Sequence, residues 1–263
     1  MPPEVAVATA TATPTLYVAS YSPWSERARW ALDHHGIAYK QVEHVVMLGE
    51  PLLRLRLGRL RGSLSIPVLV DGKRTFLDSV EIARHADVIG HGVPLFPARL
   101  DREVDHWIRR STDLMEAGRS LFLPRLLADP AARRENFPPQ IPRALRGILD
   151  PVARMGTRFV QRKYRGLEHD PRSAEQIMRG VLDTVRARLA TGATSLLEAG
   201  FSFADVAMAA SLQMVRPVEH PALRLGPATR AAWTHGPLAG EYADVLTWRD
   251  NLYADRRPRR AGT

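Results

Sequence analysis

The chain has 263 residues, a formal net charge of +9, 45% hydrophobic and 25% charged residues, and no cysteine. That length suits two ordinary domains, and no run approaches the roughly 18 consecutive apolar residues of a membrane span, so the composition predicts a soluble protein without a membrane partner. The lack of cysteine excludes disulfides, thiolate metal sites and a protein thiol nucleophile. Four basic residues sit in one run, Arg256, Arg257, Arg259 and Arg260, and Arg56, Arg59 and Arg61 form the other local cluster, without the interleaved aromatics of a single-strand platform. The charge therefore reads as a solvated surface and a basic tail over 255–263, not as a nucleic-acid site. The start, MPPEVAVATATATPT, lacks the basic and unbroken apolar regions of a secretory signal, and reads as a disordered tail over 1–14 of a cytoplasmic protein.

In chain order, TLYVAS (15–20) is β-branched and aromatic enough for a strand. Trp24, Ala28, Ala31, Leu32 and His35 then mark one helical face, with Gly36 as a C-terminal stop. AYKQVEHVVM reads as a second strand, and a short helix is expected from about Pro51. IPVLVDGKRTFLD is the clearest hairpin signal, two apolar runs flanking Asp71-Gly72, the type I′ dipeptide. DSVEIARHADVIG restarts a helix, with Asp78 as N-cap and Glu81 completing a capping box. The predicted order is β-α-β-α-β-β-α.

Gly and Pro then punctuate a linker over 91–99, and the periodicity beyond it is helical to about residue 254. Helices are expected near 100–128, 140–164, 172–191, 202–216, 221–233 and 238–254, with a proline-rich break at DPAARRENFPPQIP. In GFSFADVAMAASLQMV, Ser202 and Asp205 have capping-box spacing ahead of a nearly all-apolar segment, which belongs at the centre of a bundle.

SPWSERARWAL, SIPVLVDGK, LDSVEIARH and FSFADVAMA, in this order, resemble the glutathione S-transferase superfamily over about residues 15–254. The resemblance implies an α/β thioredoxin-like N-terminal domain (15–90) that binds glutathione, followed by an all-α helical bundle (100–254) that receives an electrophile. It also implies a homodimer and glutathione as co-substrate, in the manner of detoxification enzymes, with no metal. Pro67 matches the family's cis-proline, and Ile66 before it would offer main-chain groups to the cysteinyl part of glutathione. Asp78 and Ser79 resemble the acid and serine that hold the γ-glutamyl group at a helix N-terminus. Many relatives carry a basic residue where this chain has Ser65, which leaves Lys40, Arg59 or Arg61 to reach the glycine carboxylate.

Ser22 occupies the place of the serine in the family's Ser-Pro-aromatic motif, and Tyr21 falls near where other classes place a catalytic tyrosine. Adjacent residues leaving an extended segment point opposite ways, so one of them is expected to face the thiol. Ser22, with Pro23 at the first helical position, is the preferred assignment and Tyr21 the alternative; simple helix capping is the structural role that competes for Ser22. The histidines do not read as metal ligands: His34 and His35 are adjacent on a helix, while His85 and His91 flank a helix end without a carboxylate at ligand spacing, as surface or end-of-helix residues would. Two functions stand at this point, a glutathione-dependent transferase and a non-catalytic binding or scaffold protein of the same fold. The absence of cysteine speaks against disulfide exchange through the enzyme, which needs a protein sulfur.

Overall fold

The structure is a computed structural model and describes residues 13–44, 49–59, 61–62, 64–137, 141–163 and 171–258. Alternation along β1 (Thr15–Val18) organises its first part: Leu16 and Val18 bury on one face of the sheet and Tyr17 on the other. β1 runs parallel to β2 (Lys40–Glu43) and antiparallel to β3 (Val68–Asp71), which pairs with β4 (Arg74–Phe76), giving the order β2-β1-β3-β4. The intervening α1 (Pro23–His34) and α3 (Ser79–Ile89) pack together over the Leu16/Val18 face through Ala28, Trp30, Leu32, Ile82 and Ala83. On the opposite face Leu53 of α2 (Gly49–Leu57) and Leu64 close over Tyr17 and Val68. The element order is the β-α-β-α-β-β-α that the sequence predicts, and the region is thioredoxin-like, as the resemblance implied.

The hairpin turns one residue later than expected. Asp71 pairs with Arg74 across the ladder, so the turn pair is Gly72-Lys73, with Gly72 at φ +57°. That is the first-position glycine of a II′-type turn rather than the Asp-Gly pair of a I′ turn. Asp71 stays in the ladder and accepts from His85 Nε2 at 2.8 Å. His85 is thus buried against a carboxylate within α3, which corrects the expectation of a surface or end-of-helix histidine. His35 is buried as well, 2.5 Å from Asp87, whose carboxylate also receives the Leu95 and Phe96 N–H groups.

Residues 90–100 carry neither helix nor strand, and the described chain beyond them is mostly helical. α4 (Asp101–Ala128) and α8 (Pro171–Leu189) pack against α9 (Phe203–Ser211), directly or through each other; every residue of α9 is buried. A short 3-10 turn, Leu212–Met214, extends it, and Gly118 of α4 allows the close approach: a Cβ there would stand 2.4 Å from that of Met214. The proline-rich break holds a helix of its own, α5 (Pro130–Glu135), because Asp129 accepts from Ala131 N–H and Pro130 takes the first helical position. The expected helix over 140–164 is two, α6 (Arg143–Arg146) and α7 (Asp150–Lys163). α10 (Pro227–Trp233) starts at its proline, six residues after the expected 221. The expected final helix divides at Tyr242 into α11 (Gly236–Glu241) and α12 (Ala243–Arg256).

Residues 1–12 of the expected N-terminal tail lie outside the described residues, as do Arg259 and Arg260 of the basic run. Arg257 is no part of a solvated tail. It is buried, donating to Glu26 Oε1 at 2.8 Å and to Asp33 Oδ2 at 2.7 Å on α1.

Candidate functional site

The sheet register brings four segments to one end of the α/β region. Tyr17 stands opposite Val68, so Pro67 lies beside the C-terminal end of β1, from which the chain enters Ser22 and α1. Leu69 stands opposite Phe76, so Asp78 and Ser79 emerge from β4 next to the same start of β3. The Ile66-Pro67 peptide bond is cis, as the resemblance implied. Ser22, Ile66, Pro67, Asp78 and Ser79 therefore share one end of the sheet. Lys40 does not join them: it pairs with Thr15, at the opposite end of β1.

Ser22 is the N-cap of α1 in extended conformation (φ −76°, ψ 128°), with Pro23 at the first helical position. Its main chain is fully used, N–H to Ala19 C=O at 2.8 Å and C=O from Glu26 N–H at 2.9 Å. Its hydroxyl makes no cap hydrogen bond. The neighbouring Ser25 ties the loop instead, its buried Oγ accepting from Ala19 N–H at 3.2 Å, while Ser20 is held to β2 by Glu43 at 2.5 and 2.8 Å. Tyr21 has a packing role: its ring meets Trp233 edge-on at 6.5 Å, and Trp233 lies 4.4 Å from Phe122 of α4.

At the start of α3, Asp78 accepts from Val80 N–H at 2.7 Å and caps the helix. Glu81 reaches one residue further back than a capping box requires, accepting from Leu77 N–H at 3.1 Å. Ser79 is 1% exposed, and its Oγ is buried without a hydrogen-bond partner. A buried hydroxyl left unpaired costs free energy, which a ligand acceptor would remove.

Sequence reasoning missed Arg27. Its guanidinium is buried, donates through Nη2 to Ser111 Oγ at 2.5 Å, and leaves Nε unpaired. Burial pushes its pKa down to about 9, and the charge of Asp78 works in the opposite direction. A charged residue at the fifth position of an amphipathic helix looks like solvated surface; only the contact with α4 shows otherwise. Arg56 is a second addition, its guanidinium 5.7 Å over the ring of Tyr17, the β1 residue that stands opposite Val68, whereas Lys40 is paired with Thr15.

The α3 N-terminus and the buried Ser79 hydroxyl are donors that suit an anion of carboxylate size, and the buried Arg27 adds a positive charge that is coupled to Asp78. The whole described chain has the fold of glutathione transferases. A glutathione transferase of Phanerochaete chrysosporium shares 17% identity, with 95% of this chain and 100% of that one covered and a TM-score of 0.64. A glutathione S-transferase of Ceriporiopsis subvermispora, in complex with glutathione, shares 18% over 93% of this chain and 95% of its own, with a TM-score of 0.59. One from Methylobacillus flagellatus, with glutathione bound, shares 15% over 93% and 96%, with a TM-score of 0.58. Residues 16–90 match the family model of the glutathione S-transferase N-terminal domain. No curated protein matches the sequence.

Proposed function

We propose that this protein is a cytoplasmic, homodimeric glutathione transferase that needs no metal. Its α/β domain, 15–90, binds glutathione, and its helical domain, 100–254, receives an apolar electrophile across the 91–99 linker. The observation that carries this reading is the unpaired buried Ser79 hydroxyl at the start of α3, on the same end of the sheet as the Ile66-Pro67 bond. Ser79 and the α3 N-terminus take the γ-glutamyl carboxylate, and Ile66 main-chain groups take the cysteinyl peptide unit. Arg56 serves the glycine carboxylate in place of Lys40. Two glutathione-bound structures of the same fold support the choice of ligand.

A free thiol has a pKa of about 8.5 and is mostly protonated at neutral pH. Lowering it by about two units takes about 2.7 kcal/mol of preference for the anion. Ser22 Oγ, uncommitted to capping and set at the N-terminus of α1, supplies a donor where that charge forms. Ser22→Ala is expected to raise the pKa of bound glutathione by one to two units (about) and to slow conjugation of an aryl halide, with glutathione affinity changed only a few-fold. Tyr21→Phe leaves the pKa in place. Thiolate absorbance against pH reads both; reversed effects assign the role to Tyr21. Ser79→Ala is expected to do the converse, weakening glutathione affinity by about tenfold without moving the thiol pKa, since a hydrogen bond to a carboxylate is worth about 1.5–3 kcal/mol. Calorimetric titration checks it.

The second reading, a non-catalytic scaffold, draws on one observation: Tyr21 packs edge-on against Trp233, which is buried on Phe122 of α4, so the aromatic surface beside Ser22 is already filled by the protein's own rings. Retention on immobilised glutathione without conjugation of any aryl halide would favour it.

A further inference from the structure

Helix α7 presents Val152 and Met155 to solvent, with Phe159 half-buried on the same face. Ile148, just before it, is 77% exposed and Met155 53%, with Val152 exposed between them. Ile148, Val152, Met155 and Phe159 recur at helical spacing on one face, whereas Val160, the α7 residue that packs on the core, lies about 140° round the helix from Met155. Arg154, Arg158 and Arg162 form a row along the edge of the apolar face, and with Pro151, Met155 and Phe159 line a groove of about 500 Å³. Residues 141–163 hold six basic side chains and one acid, Asp150. That acid is taken by Arg133, at 3.1 and 2.6 Å, so none of the arginine row is neutralised by it through a hydrogen bond.

An apolar helix face edged by arginines suits the boundary between phospholipid headgroups and acyl chains, where guanidinium groups pair with phosphates. A second copy of the chain suits it poorly, because a two-fold contact through α7 would set one arginine row against the other with no free acid on α7 itself to separate them. No helix among the described residues is long and apolar enough to cross a membrane, and a helix lying in the interface needs only one apolar face. We infer that α7 is a membrane-surface element that docks on anionic phospholipid headgroups, with Val152 and Met155 entering the acyl boundary and Arg154, Arg158 and Arg162 on the phosphates.

Co-sedimentation of the full chain with vesicles of phosphatidylcholine and 30% phosphatidylglycerol, against pure phosphatidylcholine, tests this. Binding is expected to the anionic vesicles only and to fall as salt is raised. Arg154→Gln with Arg158→Gln is expected to weaken it by about fivefold per arginine, and Val152→Ser with Met155→Ser by about tenfold, at unchanged melting temperature because these side chains face solvent. Failure to bind anionic vesicles, equal binding to neutral ones, or binding untouched by both variant pairs overturns the inference. So does concentration-dependent self-association lost in the Val152/Met155 variant, which assigns the face to a second copy, or binding to polyglutamate but not to vesicles, which assigns it to an acidic protein.

Discussion

Arg257→Ala is expected to destabilise the protein by about 3–5 kcal/mol at neutral pH, the range for breaking a buried ion pair from one side. Arg257 follows α12 directly and inserts its guanidinium against α1, 2.8 Å from Glu26, 2.7 Å from Asp33 and 5.7 Å above the Trp30 ring. The chain beside it is held as well, since Trp30 Nε1 donates to the Arg256 carbonyl at 3.1 Å. Arg29 completes the cluster, 2.5 Å from the second oxygen of Glu26. Burial by itself would raise the pKa of Glu26, but Arg257 and Arg29 hold it below the usual carboxylate range. A depressed carboxylate contributes stability that is present above its unfolded pKa and lost as pH falls through the folded one. The difference between wild type and variant is therefore full at pH 7 and shrinks in acid, as pH falls through the lowered folded pKa of Glu26. Urea denaturation across this range measures it. Adding Glu26→Gln to the Arg257→Ala chain is expected to restore part of the loss by removing a stranded charge. A loss under 1 kcal/mol (about) at pH 7 would mean that the ion cluster does not hold the C-terminal segment to α1.

Asp205→Ala is expected to cost about 3 kcal/mol, against about 1 kcal/mol for Ser202→Ala. Ser202 and Asp205 form the capping box of α9, and the fully buried carboxylate does more than cap. It accepts from Ser202 N–H at 2.9 Å, Ser202 Oγ at 3.1 Å and, outside the helix, Leu196 N–H at 2.8 Å. Alanine strands three donors at the centre of the bundle, whereas the serine variant loses one hydroxyl. Burial pushes Asp205 up to about 6, with the hydrogen bonds pulling the other way. An acid raised in the folded state binds a proton there that the unfolded chain has already released, so its contribution to stability falls as pH rises from about 4 to about 6. Two units correspond to about 3 kcal/mol at most. The wild-type advantage over Asp205→Ala is consequently larger at pH 4 than at pH 7. Paired denaturation curves at the two values check this; equal differences would show that Asp205 does not titrate across that window.

Much of this molecule is written in short stretches. The start of α1 at Ser22-Pro23, the cap of α3 at Asp78, the Ser202/Asp205 box and the strand-helix order all depend on residues within a turn or two of one another, where capping and side-chain periodicity act. The proline-rich stretch after α4 shows the limit of such rules, because the same Asp-Pro pair that interrupts one helix starts another. The hairpin slipped by one residue for a longer-range reason: Asp71 is kept in the ladder with His85 as partner on α3. Residues that titrate or carry charge were the least legible. Arg27, Arg257 and His85 have the composition of surface and are buried, each because its partner comes from another element: Ser111 on α4, Glu26 on α1 and Asp71 in the sheet. Glu26 and Arg257 stand 231 positions apart in the chain. Local sequence sets caps, turns and periodicity because those interactions close within a few residues. Whether a charge is solvated or enclosed depends on which distant segment folds over it, and that was decided by the packing of α1 against α12 and of α3 against the sheet.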